Sequence, residues 1–307
     1  MKKIIVITSG KGGVGKTTTT INLGAAMNYF GKEVLIIDGN LTTPNVGIHL
    51  NSPEVPVSLN HVLSGKADAF EAVYEHESGI KIMPSSLSIK ELSKIRLEKM
   101  KDYKEDFKKI SDYIIVDSSA GLGNEAISLI ELSDELIIVT NPEMPAITDA
   151  LKTIKIAEQM KKTIMGVIVT RVRKNNIEMS PESVKEILEV PILGMIPEDV
   201  CIQKALGLKD AVMHTHPKSN ASRAYKEIAA KILGVEYNSD KDREKLWEKI
   251  FKRRKKIKNW FYPILEPGSI SETGEIKTTF EWSSFEAAKS IPWDSIPFNF
   301  LGFKLEK

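Results

Sequence analysis

A glycine-rich stretch near the amino terminus constrains the fold of this chain more than any other feature. Residues 9–18 read SGKGGVGKTT, and residues 10–17 satisfy the pattern G-x-x-x-x-G-K-[ST]. In this pattern the glycines let backbone N–H groups converge on phosphate oxygens, and the final lysine neutralises the outer phosphates. The pattern carries this meaning when it joins a strand to a helix. Here the apolar residues 4–8 (IIVIT) precede it and a helical segment ending at Gly31 follows it, so the required context is present.

The loop predicts a phosphate site and a magnesium ligand. Lys16 occupies the position of the phosphate-binding lysine, and the hydroxyl of Thr17 is expected to bind Mg²⁺. The pattern requires only one lysine, so it leaves the role of Lys11 open. The predicted phosphate-binding residues are Gly10, Lys11, Gly12, Gly13, Val14, Gly15, Lys16, Thr17 and Thr18.

The composition is that of a globular protein from a reducing compartment. The 307 residues are enough for one large domain or two small ones, and the hydrophobic content is 42%. The single cysteine, Cys201, excludes a disulfide framework, and residues 1–13 reach glycines before the apolar core of a signal peptide can form. No apolar run approaches the ~20 residues of a membrane-spanning helix. We therefore expect a cytosolic chain whose contacts with membranes are peripheral.

Apolar, β-branched runs recur between residues 4 and 196, separated by segments with helical spacing or helix-start signals. After residues 4–8, the predicted strands are 33–38 (EVLIID), 80–84 (IKIMP), 113–117 (YIIVD), 136–140 (LIIVT), 164–170 (IMGVIVT) and 191–196 (PILGMI). This alternation predicts an α/β fold with a mainly parallel central sheet and helices on both faces. Such a sheet binds its ligands at the carboxyl ends of its strands.

Two aspartates end predicted strands at this edge. Asp117 closes YIIVD, where a buried strand can present a carboxylate to a metal ion on the phosphates. The alternative for Asp117 is a cap of the next helix, although the glycine-rich loop favours the metal role. Asp38 closes EVLIID and has the same two interpretations. The sequence therefore predicts one site that gathers residues 10–18, Asp38 and Asp117.

Six motifs in register extend the interpretation to a family. They are KGGVGKTT, IIDGNLTTPN, IIVDSSAGLGNEA, TNPE, VTRV and GMIPED, and they resemble the MinD branch of the MinD/ParA ATPases from residue 1 to about residue 235. The resemblance implies the cofactors ATP and Mg²⁺ and an ATP-dependent homodimer. In that family the first lysine of the loop, here Lys11, reaches across the dimer interface to the partner's nucleotide. The alternative is a solvated surface lysine.

The same resemblance implies roles for further residues. Lys16 is expected to contact the β- and γ-phosphates, Thr17 to bind Mg²⁺, and Asp117 to hold a metal-bound water. The residues expected to frame the adenine are Arg171, Pro197 and Asp199. Asn141 of TNPE could instead merely turn the chain.

One position departs from the family pattern. The family usually has two acids in the first switch, spaced D-x-D, whereas this chain has Asp38 followed by Asn40. An amide orients a water molecule without accepting its proton, and phosphoryl transfer depends mainly on positioning. We therefore expect slow hydrolysis, with Asp38 partly substituting for the missing acid. Alternatively, Asn40 marks a subgroup with ordinary rates.

Basic charge is concentrated near the carboxyl terminus. Residues 241–258 (KDREKLWEKIFKRRKKIK) carry ten basic and three acidic residues, a net charge of +7 in a chain whose total is +2. Apolar side chains recur there at helical spacing, and such a basic amphipathic helix resembles the membrane-targeting end of MinD proteins. The expected membrane- or nucleic-acid-binding residues are Trp247, Ile250, Phe251, Lys252, Arg253, Arg254, Lys255 and Lys256.

We expect three parts in the chain: an ATPase domain (1–237), the basic amphipathic helix (238–262) and a carboxyl-terminal extension (263–307). MinD chains typically end at the helix, so the extension departs from the family. It contains two of the four tryptophans and no recognised motif. Packing on the ATPase domain, a hairpin around residues 273–282, partner docking and disorder all remain open for it.

Three classes of function follow, in order of preference. The first is an ATP-dependent switch that dimerises, binds the inner face of the cell membrane through its basic helix, and engages an activating or cargo protein. The second is a ParA-like partition ATPase whose basic helix contacts DNA phosphates. Trp247 and Phe251 among the lysines favour lipid over DNA. The third is a metabolic or metal-cluster-carrier ATPase, and the lone Cys201 argues against the cluster version.

Overall fold

The structure of the protein is a computed structural model that describes residues 2–52, 54–92, 95, 97–173 and 178–237. The predicted basic helix (238–262) and extension (263–307) lie outside the described residues. Within the described residues, no helix combines the length and apolar character needed to cross a membrane.

Among the described residues, the core is one eight-stranded sheet. Its strands are β1 (Lys3–Ser9), β2 (Val34–Asp38), β3 (Tyr74–Glu75), β4 (Lys81–Met83), β5 (Tyr113–Ala120), β6 (Glu135–Thr140), β7 (Thr163–Val172) and β8 (Ile192–Pro197). They are arranged in the order β3-β4-β2-β5-β1-β6-β7-β8. All neighbouring pairs are parallel except β3 and β4, which are antiparallel. The predicted mainly parallel sheet is confirmed, and the two-residue strand β3 was not predicted.

Helices connect the strands and cover the sheet. They are α1 (Lys16–Tyr29), α2 (Val46–His49), α3 (Leu59–Leu63), α4 (Ile89–Leu92), α5 (Lys104–Ile110), α6 (Asn124–Leu132), α7 (Met144–Gln159), α8 (Pro181–Leu188), α9 (Val200–Gly207), α10 (Val212–Thr215) and α11 (Asn220–Leu233). Two 3₁₀ helices span Ala69–Ala72 and Leu97–Tyr103. Local sequence explains several helix starts: the hydroxyls of Ser180 and Ser219 accept from backbone N–H groups in the first turns of α8 and α11.

Strand β1 shows why the strands of this sheet appear in the sequence as continuous apolar runs. Ile5 and Ile7 pack with buried residues of α1 and α11, while Ile4 and Val6 pack with buried residues of α5 and α6 on the opposite face. Because both faces are covered, successive side chains are buried whichever way they point. The strand ends are therefore the places where this sheet can meet a ligand.

Candidate nucleotide-binding site

The loop between β1 and α1 is shaped to hold an anion. Gly13 and Gly15 have φ values of 75° and 94°, in the left-handed region that glycine adopts without strain. A Cβ atom on Gly10 would lie 2.2 Å from the carbonyl oxygen of Asp149 in α7, so the loop can approach α7 only with glycine there. The loop leads directly into the amino end of α1, where free N–H groups and the helix dipole favour phosphate.

Lys16 is the buried cation of this loop. It is the first residue of α1 and is 8% exposed. Burial lowers the pKa of its ammonium group, and attraction to Asp117 opposes this shift. A phosphate bound by this loop would stabilise the charged form of Lys16, because its negative charge would offset the cost of burying the ammonium group.

Asp117 connects strand β5 to the first turn of α1. One of its carboxylate oxygens accepts from the hydroxyl of Thr17 at 2.5 Å, and the other lies 3.4 Å from the hydroxyl of Thr20. The carboxylate is fully buried, and burial raises its pKa to about 6 although Thr17 and Lys16 act in the opposite direction. Asp117 lies within β5 and does not cap a helix. The hydroxyl and carboxylate oxygens of Thr17 and Asp117 are the hard donors that Mg²⁺ prefers, so this pair fits the ion.

Asp38 lies beside Asp117 but serves the chain that follows it. The two aspartates are paired in register across β2 and β5. The Asp38 carboxylate accepts backbone N–H groups of Asn45, Val46 and Asn40 at 2.8, 2.9 and 3.2 Å. Burial, and then the charge of Asp117, raise its pKa to about 8 despite these bonds. Through these hydrogen bonds, Asp38 fixes the backbone of residues 39–46 around its carboxylate.

Asn40 faces a cleft next to these aspartates. Its side-chain oxygen accepts from the N–H and the hydroxyl of Thr43 at 3.3 and 3.1 Å, which fixes the side chain in a local turn. The cleft has a volume of about 640 Å³ and is lined also by Ser119 and Gly123 of the loop after β5. Asn40 is 9% exposed, so it is held at the wall of the cleft and does not project into solvent.

A second cavity lies at the other side of the phosphate loop. The three residues predicted to frame the adenine, Arg171, Pro197 and Asp199, all line it, and its volume is about 200 Å³. Gly15 and Thr18 of the loop and α1 form part of the same wall. The cavity therefore extends from the phosphate loop to the carboxyl ends of β7 and β8. A nucleotide whose phosphates were bound by the loop could place its base there.

Lys11 lies in surroundings that differ from those of Lys16. Its side chain is 41% exposed, and its ammonium group lies 3.7 Å from a carboxylate oxygen of Glu143, just before α7. The Ser9 hydroxyl donates to the Lys11 carbonyl oxygen at 2.7 Å, which fixes the backbone at this point. The two lysines of one loop thus occupy different surroundings, one buried beside Asp117 and one at the surface.

Sequence reasoning missed two contacts of the loop. Glu143, the partner of Lys11, belongs to the TNPE motif, and the sequence alone assigns no role to this glutamate. Thr170 of the VTRV motif lies with its hydroxyl 2.5 Å from the carbonyl oxygen of Val14 and 2.9 Å from the side-chain oxygen of Asn141. Both residues belong to motifs that the sequence analysis names. Their position near the carboxyl ends of β6 and β7, the edge at which the site is expected, is the signal that identifies them as candidates.

Comparison with known proteins agrees with this geometry. The family model of the CobQ/CobB/MinD/ParA nucleotide binding domain matches residues 5–212. The chain belongs to the MinD/ParA family of P-loop ATPases. The matched range contains the phosphate loop, both buried aspartates and the cavity residues Arg171, Pro197 and Asp199.

Individual relatives place the chain close to MinD. An uncharacterised ATP-binding protein of Methanocaldococcus jannaschii is 37% identical over 241 residues, covering 78% of this chain and 91% of that protein. The septum site-determining protein MinD of Pyrococcus horikoshii, solved with Mg-ADP, is 32% identical with a TM-score of 0.73, covering 76% of this chain and 96% of that one. The MinC:MinD cell division complex of Aquifex aeolicus matches at 32% identity and a TM-score of 0.70, covering 77% and 97%.

Proposed function

We propose that this protein is an ATP-dependent switch that dimerises when it binds ATP and then engages a membrane surface and a protein partner. The separation of Lys11 from Lys16 carries the proposal. Lys16 is buried beside Asp117 within its own site, whereas Lys11 is half-exposed and pairs at the surface with Glu143. An exposed lysine at the edge of the phosphate loop is suited to reach the nucleotide of a second subunit.

The proposed chemistry is slow ATP hydrolysis with each residue in a distinct role. The N–H groups of residues 10–18 and the Lys16 ammonium bind the phosphates, and the cavity beside Arg171 takes the adenine. Thr17 would hold Mg²⁺ directly and Asp117 through a bound water, and the ion would supply positive charge against the phosphates. Asn40 orients the attacking water without removing its proton, because an amide is a poor base.

The membrane part of the proposal rests on the sequence of residues 241–258. A net charge of +7 with interleaved apolar residues, including Trp247 and Phe251, favours an anionic lipid surface, where burial of apolar side chains adds to charge attraction. The protein would then be cytoplasmic and peripherally bound to the inner face of the cell membrane. The MinC:MinD complex supports a protein partner for the dimer, either an activator or a cargo.

Sedimentation with anionic vesicles, and separately with plasmid DNA, tests this proposal when each is done with ATP and with ADP. We expect vesicle binding with ATP, less with ADP, and a loss of vesicle binding in a Trp247→Ser/Phe251→Ser variant. That variant keeps every basic residue, so binding to DNA would survive it. Binding to DNA alone, unchanged by the two serines, would replace the membrane role with DNA partition.

A further inference from the structure

The carbonyl group of Val14 in the phosphate loop is turned towards the sheet. The Thr170 hydroxyl lies 2.5 Å from the Val14 carbonyl oxygen, nearer than the carbonyl of Thr140 at 3.3 Å or the side-chain oxygen of Asn141 at 2.9 Å. A hydroxyl has one proton to donate, and Val14 is the nearest acceptor. Among the described residues, Thr170 is the only donor found for this carbonyl.

The orientation of this carbonyl decides where a phosphate-facing N–H points. The peptide bond between Val14 and Gly15 is planar, so its C=O and N–H groups point in opposite directions. With the carbonyl directed at β7, the Gly15 N–H is directed away from β7. A rotated peptide would instead present an oxygen to the phosphates and remove one of their donors.

Val14 and its carbonyl group lie buried against β7. The Val14 side chain is 1% exposed and belongs to the main hydrophobic core, and Thr170 is 4% exposed. A Cβ atom on Gly15 would lie 3.7 Å from the Thr170 hydroxyl, so strand and loop are in direct contact here. Because the carbonyl is buried, it needs a donor, and without one the peptide would gain by rotating.

We propose that Thr170 is a positioning residue of the phosphate loop, whose hydroxyl holds the Val14 carbonyl against β7 so that the Gly15 N–H faces the phosphates. This inference rests on the proposed nucleotide site. It gives the threonine of the VTRV motif a role that differs from the base-framing role of its neighbour Arg171, although Thr170 also lines the base cavity.

Binding of Mg-ADP and of AMP to the full chain, measured by displacement of a fluorescent nucleotide, separates the two roles. In Thr170→Val, which keeps the shape but loses the hydroxyl, we expect the affinity for Mg-ADP to fall about 10-fold. The affinity for AMP, which lacks the β-phosphate, should change less than about threefold. Thr170→Ser should restore Mg-ADP binding, because it restores the hydroxyl.

Matched variants distinguish the other outcomes. Ser133→Ala removes a buried hydroxyl that donates to the Ile130 carbonyl of α6 at the opposite edge of the sheet, and it should leave both affinities unchanged. If Thr170→Val fails to fold, Thr170→Ala and Thr170→Ser form a second pair that differs only in the hydroxyl. Equal losses for AMP and Mg-ADP, no loss in Thr170→Val, or a serine no better than alanine would each overturn the proposal. A wild-type protein that binds neither nucleotide would overturn the proposed function itself.

Discussion

Aspartates at the two edges of the same sheet are held in opposite ways. Asp134 lies at the amino edge, just before β6, and the fold surrounds it with positive charge. Its carboxylate lies 2.6 Å from the ammonium of Lys104 and 3.1 Å from that of Lys108, and accepts the N–H of Ile4 at 3.0 Å. Burial alone would raise the pKa of Asp134, but these partners bring it below its ordinary value. The protein itself stabilises this charge.

At the carboxyl edge of the sheet, burial is the largest influence on the pKa values of the buried charged groups. Burial raises the pKa of both Asp38 and Asp117, and it lowers the pKa of Lys16, the cation beside them. The fold therefore disfavours the charged form of all three groups, whereas a bound magnesium ion and phosphate would favour it. The comparison teaches that lysines around a carboxylate, as at Asp134, stabilise its charge within the protein, whereas burial at Asp117 leaves a charge that a bound cation would stabilise.

Among the differences expected between the two edges, the largest is in Mg²⁺-dependent nucleotide binding. Asp117→Asn should weaken the Mg²⁺-dependent part of nucleotide binding about 100-fold, because the amide lacks the negative charge that is expected to hold the metal-bound water. Asp134→Asn should leave it unchanged, since Asp134 lies at the opposite edge. Titrations of ADP with Mg²⁺ and with a chelator measure the difference. Similar losses in both variants would remove the distinction between the edges.

Stability should respond with opposite signs at the two edges. Since the pKa of Asp38 is raised, its ionisation costs stability as pH rises from about 4 towards 8, so Asp38→Asn should reduce the loss of stability that the nucleotide-free protein shows between pH 5 and pH 8. The pKa of Asp134 is lowered, so its contribution is present above about pH 4 and is lost as pH falls further. Asp134→Asn should therefore destabilise the protein at pH 7, by about 1–2 kcal/mol. Thermal unfolding from pH 3 to 8 tests both signs, and an Asp38→Asn protein that loses as much stability as the wild type between pH 5 and pH 8 would contradict the comparison.

A third carboxylate at the carboxyl edge should accelerate hydrolysis. Asn40→Asp is expected to raise the ATPase rate about 10-fold, which corresponds to roughly 1.4 kcal/mol of barrier. Thr43 donates two hydrogen bonds to the Asn40 oxygen, and an aspartate would accept both, so the local turn should persist. Nucleotide affinity should change little, because the side chain acts on the attacking water. The rate must be measured at protein concentrations that saturate dimer formation, and an unchanged or lower rate would show that Asn40 does not limit hydrolysis.

The smallest effect is a dependence of magnesium binding on pH. Asp117 has a pKa of about 6 in the free protein and must be ionised to bind Mg²⁺. Affinity for Mg-ADP should therefore be nearly constant above pH 7 and fall about fourfold between pH 7 and pH 5.5. Asp117→Asn serves as the control, since it removes this dependence and retains any titration of the nucleotide. An identical pH profile in both proteins would exclude Asp117 as the titrating group.

Most of the fold could be predicted because burial on both faces leaves a clear signal. Strand β1 is apolar and buried from Ile4 to Ile7, and the glycine-rich loop indicates which edge carries the site. Strand β3 was missed because its two residues, Tyr74 and Glu75, are too short to show a period. Asp38 was located correctly, but its partners could not be predicted, because they depend on how residues 39–46 fold back.

The missed contacts of the loop have a similar physical cause. The hydroxyl of Thr170 meets the Val14 carbonyl across 156 residues of sequence, and this meeting depends on the position of β7 relative to the loop. The ion pair between Lys11 and Glu143 likewise depends on where α7 begins. Neither contact leaves a pattern in the local sequence, so motifs identified the segments but not the atoms that meet.

The central claim is that Lys16 serves its own site while Lys11 serves a second subunit. Light scattering and nucleotide binding, measured on the same samples with Mg-ATP, test it most directly. We expect Lys16→Ala to lose nucleotide binding by about 100-fold or more, since a buried phosphate-binding cation is removed. Lys11→Ala should bind within a fewfold of wild type yet remain monomeric under conditions where the wild-type mass doubles. Equal loss of binding in both variants, or a Lys11→Ala protein that still dimerises with ATP, would contradict the account.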